Sequence, residues 1–166
     1  MSATAVSAVA LQVLLRLWDP STLSPDAEIV AVSLIRGVNP HLALAVAHAE
    51  SGGLSEKDGS RDRALYLGNY GRFQINCTTW KKVFGLNECR ELWDRHLNIR
   101  IGIAVLAYVQ AMHGWRAGPP YWVAHYNEGV LLQPDGPGER YARKVVARMR
   151  RMERLAAAAA ANWRGW

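Results

Sequence analysis

Apolar residues recur at helical spacing along most of this chain, and this feature constrains its fold more than any other. Intervals of three and four residues place apolar side chains on one face of a helix, whereas strict alternation would indicate strands. The helical segments are residues 27–35, 42–49, 80–84, 97–112, 122–126 and 141–155. Strand signal is confined to residues 65–75. The sequence therefore predicts a mainly α fold with at most a small β-hairpin.

The chain is long enough for one compact domain with an extension at each end. It has 166 residues, of which 50% are hydrophobic, and this is sufficient for a full core. We predict an apolar N-terminal helix or extension over residues 1–24 and a compact domain over residues 25–150. Residues 151–166, which are basic and contain alanines and tryptophans, are predicted to form a helical arm.

The positive charge is concentrated at the C-terminal end of the chain. Residues 140–166 contain eight basic residues and one acidic residue, a net charge of +7, whereas the whole chain carries +6. Within this segment a helical stripe of apolar residues runs between the cations: Tyr141, Val145, Met149, Met152 and Leu155. Two interpretations stay open. The segment is either a docked helix with a solvated basic face or an arm that attracts an anionic surface.

The N-terminal segment is apolar but lacks the pattern of a signal peptide. No lysine or arginine precedes the apolar run over residues 3–15, and the first basic residue, Arg16, follows it. The run is also too short and too broken to span a bilayer. We therefore expect no export signal in this segment.

Glu50 stands at the end of a predicted apolar helix. Asn39 is a helix-capping residue type, Pro40 suits the first helical position, and Gly52 and Gly53 favour the end of the helix. The apolar spacing between them places Glu50 at the edge of a core. Burial and the negative end of the helix dipole both disfavour a charged carboxylate, so we expect a raised pKa. A carboxyl group that stays protonated near neutral pH can act as a general acid.

A glycine turn with an amide and an aromatic ring follows in residues 69–76, Asn-Tyr-Gly-Arg-Phe-Gln-Ile-Asn. These are groups that hold a sugar beside a proton donor. The segment resembles the strand of animal c-type lysozymes that carries their second catalytic carboxylate, but this chain has Asn69 at that position. Because an amide cannot form a glycosyl ester, a two-carboxylate mechanism would need Asp58 or Asp62 from the preceding loop.

Five elements, in the same order along the chain, resemble the soluble lytic transglycosylase family. Residues 37–42 and 47–52 are similar to its catalytic helix and Glu-Ser signature. The other four elements are residues 71–75, 98–102, 125–129 and 141–145. Arg72, Phe73 and His125 depart from the family pattern. The resemblance covers most of the chain, and it identifies residues 25–150 as a lytic transglycosylase catalytic domain.

The resemblance implies a lysozyme-like fold and cleavage of the β-1,4 bond between N-acetylmuramic acid and N-acetylglucosamine in peptidoglycan. Glu50 would protonate the leaving oxygen and then accept the proton of the muramoyl C6 hydroxyl, which gives a 1,6-anhydro product. The implied substrate-binding residues are Ser51, Phe73, Gln74, Tyr126, Asn127 and Tyr141. Arg72 would either disturb the packing of the groove wall or contact an acidic stem peptide.

No metal or cofactor is predicted. The five histidines lack the spacing of metal ligands, and the chain has neither a phosphate-binding loop nor a dinucleotide fingerprint. The predicted partner is the peptidoglycan glycan strand. Through the basic arm, the chain would also contact a virion or membrane partner, and no sequence-specific binding of nucleic acid is expected.

Two other functions stay open. One is a hydrolytic muramidase or endolysin that uses Glu50 with Asp58 or Asp62, and the other is a non-catalytic, wall-binding virion protein. An enzyme that acts in the periplasm or cell wall without an export signal suggests a bacteriophage source. Interaction-type segments at both termini favour a virion component over an endolysin. The expected role is then local opening of the cell wall during infection.

Cys77 and Cys89 are the only cysteines, and they bracket a predicted helix. Their spacing matches neither a thioredoxin-like nor a zinc-binding motif. In an oxidising compartment they would form a bridge, and in a reducing one they would stay buried thiols. A bridge across this loop would stabilise the fold by about 3 kcal/mol on the chain-entropy account.

Overall fold

The structure is a computed structural model that describes residues 23–117, 121–129 and 132–163. The α-helices in these ranges are α1 Pro25–Arg36, α2 Pro40–Ser51, α3 Cys77–Trp80, α4 Arg95–Ala117, α5 Ala124–Glu128 and α6 Pro137–Trp163. Short 3-10 helices cover Cys89–Trp93 and Tyr121–Val123, and the strands are β1 Leu65–Tyr66, β2 Asn69–Tyr70 and β3 Ile75–Asn76. The prediction of a mainly α fold is confirmed.

The β region is larger than the predicted hairpin, because it forms a three-stranded antiparallel sheet in the order β1-β2-β3. Tyr66 pairs with Asn69 across the first turn, and Tyr70 pairs with Ile75 across the second. The second turn begins at Gly71, which has a φ of 71°. A side chain at this position would also overlap the buried amide of Asn98, so only glycine fits. This turn places β3 beside β2.

The first two helices begin at the residues that the sequence indicates. Ser24 caps α1, and the side-chain oxygen of Asn39 accepts hydrogen bonds from the backbone N–H groups of His41 and Leu42, at 2.9 and 3.2 Å. Pro40 occupies the first turn of α2. Such caps satisfy backbone donors that have no partner within the helix.

The core lies between α4 and the helices around it. Leu42 and Val46 of α2, Ile99 and Ile103 of α4, and Val145 of α6 are all almost completely buried. Helix α6 packs against α2 and α5, and α4 packs against α1. The end of α2 therefore lies beside α6, and this arrangement positions Glu50.

Helix α6 continues without a break through residue 150, where the predicted arm begins. Met149 is 6% exposed, whereas Leu155 is 62% exposed, so the apolar stripe docks over only part of its length. Residues 156–161 are exposed on the last turns of the helix. The first part of this segment is therefore a docked helix, and attraction of its exposed end to an anionic surface stays a prediction. The predicted N-terminal extension lies outside the described residues, apart from residues 23 and 24.

Cys77 and Cys89 form a disulfide that links the start of α3 to the start of the 3-10 helix Cys89–Trp93. The bridge closes a segment that contains Trp80, and the loop length gives about 3 kcal/mol of stabilisation. Residues 81–84, which were predicted as helix, form turns after α3 instead. In the described ranges, no helix is both long enough and apolar enough to cross a membrane.

Candidate functional site

A groove of about 370 Å³ opens beside Glu50. It lies between the small sheet, α4 and α5. Its lining side chains include Glu50, Asn69, Gln74, Trp80, Tyr126, Asn127 and Glu128. Three of the residues predicted to bind substrate, Gln74, Tyr126 and Asn127, therefore meet the predicted acid in one concave site. A fourth, Tyr141, reaches Glu50 from α6.

Glu50 has the electrostatic properties of a general acid. Desolvation by burial raises the pKa of its carboxyl group from 4.5 to about 7, and the hydrogen bond from Tyr141 lowers it in part. The Tyr141 hydroxyl lies 2.6 Å from the Glu50 Oε1. Burial dominates, as expected for a carboxyl group at the edge of a core. A substantial fraction of Glu50 is therefore protonated at neutral pH.

Two tyrosines fix the surroundings of Glu50. The Tyr126 hydroxyl donates to the Phe73 carbonyl oxygen at 2.8 Å, and the Tyr141 hydroxyl donates to Glu50. Burial raises the pKa of both phenols well above the usual value, with the nearby Glu50 as a further cause. Both hydroxyl groups therefore stay protonated donors. Tyr126 ties α5 to the sheet region, and Tyr141 ties α6 to the acid.

Gln74 lines the groove and has an unusual backbone conformation. Its φ is 47°, which is rare for a residue other than glycine, and such strain is often found at functional sites. The side-chain amide donates to the Gly71 carbonyl oxygen at 2.8 Å. That bond holds Gln74 in the turn while its side chain lines the groove.

Asn98 supports the turn that carries Gln74, a role that sequence reasoning did not assign to it. Its side-chain oxygen accepts from the Phe73 N–H at 2.9 Å, and its amide nitrogen lies 2.9 Å from the carbonyl oxygens of Tyr70 and Leu92. Asn98 is completely buried. One turn along α4, a side chain at Gly102 would overlap the Phe73 ring. The asparagine and glycine spacing in residues 98–102 was the available signal.

Ser51 and Phe73 do not contact the groove, which corrects two of the predicted substrate contacts. Phe73 is 0% exposed and packs in the core. The Ser51 hydroxyl lies 3.1 Å from the Ala47 carbonyl oxygen and 2.9 Å from that of Arg72. It also accepts from the Arg61 guanidinium at 3.2 Å. Its hydrogen bonds are therefore used within the fold, where they hold the end of α2.

Arg72 is a buried structural cation, so contact with a stem peptide, one of the two alternatives for this residue, is wrong. The side chain is 1% exposed. Its guanidinium lies 2.7 Å from a Glu56 oxygen and 2.9 Å from an Asp62 oxygen. These two carboxylates supply the partners that a buried charge needs.

Asp58 and Asp62, the candidates for a second catalytic carboxylate, lie outside the groove. Asp62 pairs with Arg72, and Asp58 is exposed and accepts hydrogen bonds from Ser60 in its own loop. Neither side chain lines the groove. Glu128 does line it, although sequence reasoning missed this residue. One Glu128 oxygen accepts from the Gly138 N–H at 2.9 Å and so fastens the start of α6.

Trp80 is another groove residue that sequence reasoning missed. It packs against the rings of Phe84 and Tyr108, at centroid distances of 5.8 and 5.9 Å, and it also borders the groove. An aromatic face beside a polar groove is suited to the apolar face of a sugar ring. Asn69 also lines the groove, and its side-chain oxygen accepts from the amide of Asn76, its partner across the sheet, at 3.0 Å.

Within the described ranges, no group of three or more His, Cys, Asp or Glu side chains is arranged to hold a metal ion. Comparison with protein-family models, with curated proteins and with solved structures finds no match for this chain. The chemistry of the groove is therefore the basis for assigning a function.

Proposed function

We propose that this chain is a lysozyme-like lytic transglycosylase that cleaves peptidoglycan between N-acetylmuramic acid and N-acetylglucosamine. The observation that carries this proposal is the carboxyl group of Glu50, whose pKa is raised to about 7 at the edge of a concave groove. The amide-bearing residues Gln74, Asn69 and Asn127 around it are suited to sugar hydroxyl and acetamido groups. The sequence resemblance supports the same assignment.

In the proposed reaction, Glu50 moves both protons. The protonated carboxyl donates to the glycosidic oxygen as the bond from that oxygen to the muramoyl C1 breaks, and the substrate's N-acetyl group assists at C1. The Glu50 carboxylate then accepts the proton of the muramoyl C6 hydroxyl while the C6 oxygen bonds to C1. The product is a 1,6-anhydromuramoyl end, no water is consumed, and Glu50 is protonated again.

The neighbouring residues orient Glu50 and position the glycan. Tyr141 donates to Glu50, which orients the carboxyl group and limits the rise of its pKa. Tyr126 holds the backbone of the turn that presents Gln74. Trp80 offers an aromatic face for a sugar ring. A groove built in this way holds the glycan near the acid before reaction, which is a main source of rate acceleration.

We expect cleavage to decline as pH rises through about 7, because the first step needs a protonated Glu50. The folded state binds this proton more tightly than the unfolded chain does. The cost of ionising Glu50 therefore reduces the free energy of unfolding progressively between pH 4.5 and about pH 7.

In Tyr141→Phe the hydrogen bond that lowers the Glu50 pKa is lost, so the decline of cleavage with rising pH should move to higher pH. Rate–pH profiles of both proteins test this, and an unmoved decline would contradict the role of Tyr141.

Product analysis of digested sacculi tests the proposed reaction. Mass spectrometry should find 1,6-anhydromuramoyl ends as the main product, with few reducing muramic ends. A majority of reducing ends would replace the proposal with a hydrolytic muramidase. Failure to release any fragment, with binding to the wall retained, would indicate a non-catalytic wall-binding protein.

The hydrolase alternative has a specific basis in Glu128, the second carboxylate that lines the groove. If Glu128 activated a water molecule, Glu128→Gln would abolish cleavage. In the single-acid reaction the same change keeps the anhydro product, because a glutamine oxygen still accepts from the Gly138 N–H. Comparing products of the wild type and Glu128→Gln therefore separates the two mechanisms.

A virion-borne enzyme that opens the cell wall locally during phage infection is the setting that we propose. Its support is the sequence alone, namely the apolar N-terminal segment and the basic C-terminal helix. Electron microscopy with antibody against this chain on purified particles would test it.

A further inference from the structure

A second cavity, of about 730 Å³, adjoins the groove. Asn127 lines both spaces. Tyr141 lines the second cavity, and its hydroxyl contacts Glu50. A substrate bound at Glu50 therefore has part of its structure within reach of this cavity.

One wall of the second cavity is a row of cations on α6: Arg140, Lys144 and Arg148. Intervals of four residues place them on the same helical face, and the row spans about 12 Å at about 1.5 Å per residue. All three are exposed. Among the described residues, no Asp or Glu lines this cavity. Its electrostatic potential is therefore positive and suited to an anionic ligand.

Arg143, on the same helix, is paired with carboxylates of the fold. Its guanidinium lies 3.4 Å from Asp135 and 3.7 Å from Glu139, both outside the cavity lining. Within the described ranges, Lys144 and Arg148 have no hydrogen bond or ion pair to another side chain. Lys144 and Arg148 are therefore available to a ligand, whereas Arg140 donates to the Asp135 carbonyl oxygen and Arg143 is paired within the fold.

We infer that this cavity binds the carboxylates of the peptide stem on the muramic acid residue beside the cleaved bond. The inference rests on the proposed function and extends it from the glycan to the peptide. An extended stem of four residues is about 13 Å long at about 3.3 Å per residue, which matches the cationic row. Stem carboxylates then lie along Lys144 and Arg148 while the sugar occupies the groove at Glu50. Because these cations are exposed, the preference is modest and weakens with salt.

The test measures binding rather than turnover. A disaccharide tetrapeptide, N-acetylglucosaminyl-N-acetylmuramoyl tetrapeptide, is prepared with its carboxylates either free or converted to amides. Each form is titrated into the full chain carrying Glu50→Gln. The free-carboxylate form should bind about tenfold more tightly at low salt, and Lys144→Gln/Arg148→Gln should remove that difference. Glutamine favours helix, so α6 is retained.

The matched control is Arg150→Gln/Arg154→Gln, which removes the same charge from exposed positions of α6 outside the cavity. This control should keep the tenfold preference. An equal loss in both double variants would reduce the effect to net charge and overturn the inference. It would also be overturned if Lys144→Gln/Arg148→Gln weakened only binding to phosphatidylglycerol vesicles, since the cavity would then recognise a lipid headgroup.

The peptide-binding inference and the proposed reaction can each fail while the other stands. If digestion yields no anhydro ends but the carboxylate preference is present, the transglycosylase reaction is wrong and the peptide-binding cavity stands. If anhydro ends form in the wild-type digest and the Glu50→Gln chain binds both forms of the fragment equally, the reaction stands and the cavity has no such role.

Discussion

Glu50→Gln should lower wall lysis by about 10³-fold or more, while binding of the glycan is retained. The reason is that one carboxyl group supplies the proton for the leaving oxygen and then accepts the proton of the C6 hydroxyl. General acid–base groups contribute about 10²- to 10⁴-fold each, and glutamine can perform neither step. Release of soluble muropeptides from sacculi measures the loss. Retention of a tenth of the wild-type activity would exclude Glu50 as the acid.

The stability of the same variant gives a second test of the raised Glu50 pKa. Glutamine stays neutral, whereas the wild-type carboxyl group loses its proton as pH rises through about 7. The melting temperature of Glu50→Gln relative to the wild type should therefore rise between pH 5 and pH 8. Asp58→Asn is a matched control for activity, because this exposed carboxylate lies outside the groove. It should cleave sacculi at the wild-type rate and show no such change in relative stability.

Features that depend on nearby residues could be predicted from the sequence. Asn39 and Pro40 indicate where α2 begins, and the apolar spacing that follows shows that its end lies at a core. The raised pKa of Glu50 follows from that position alone, because burial is its main cause. Local patterns of this kind also located the turn at Gly71, which no larger residue fits.

Features that depend on distant segments could not be predicted in the same way. Phe73 was interpreted as a sugar contact because of its place in a motif, but α4 passes over it at Gly102 and buries the ring. Arg72 looked available until the fold brought Glu56 and Asp62 to it. Whether a side chain faces a groove or a core is decided by the packing of helices that are far apart in sequence.

Trp80 and Glu128 illustrate the opposite error. Neither belongs to a motif position with an assigned role, yet both line the groove, because α3 and α5 are folded against the sheet and α4. The disulfide from Cys77 fixes the start of α3 and so restrains the position of Trp80. Spacing along the chain carries no information about such convergence.

Asn98→Ala should destabilise the fold and reduce cleavage together. The change removes the acceptor of the Phe73 N–H and the donor shared by the carbonyl oxygens of Tyr70 and Leu92, all within hydrogen-bond distance of this buried amide. A buried polar group left without a partner costs about 1–3 kcal/mol. We therefore expect the free energy of unfolding to fall by about 3–5 kcal/mol, measured by urea denaturation.

The remaining folded protein should also cleave more slowly, because Asn98 holds the turn that presents Gln74 to the groove. Arg100→Ala is the matched control, since this side chain is exposed on the same helix two residues further on. It should change stability by less than about 0.5 kcal/mol. Asn98 has the proposed positioning role only if cleavage falls at temperatures where the variant is still fully folded. Full activity in a destabilised but folded Asn98→Ala would restrict this residue to stability, and the turn would then hold Gln74 without it.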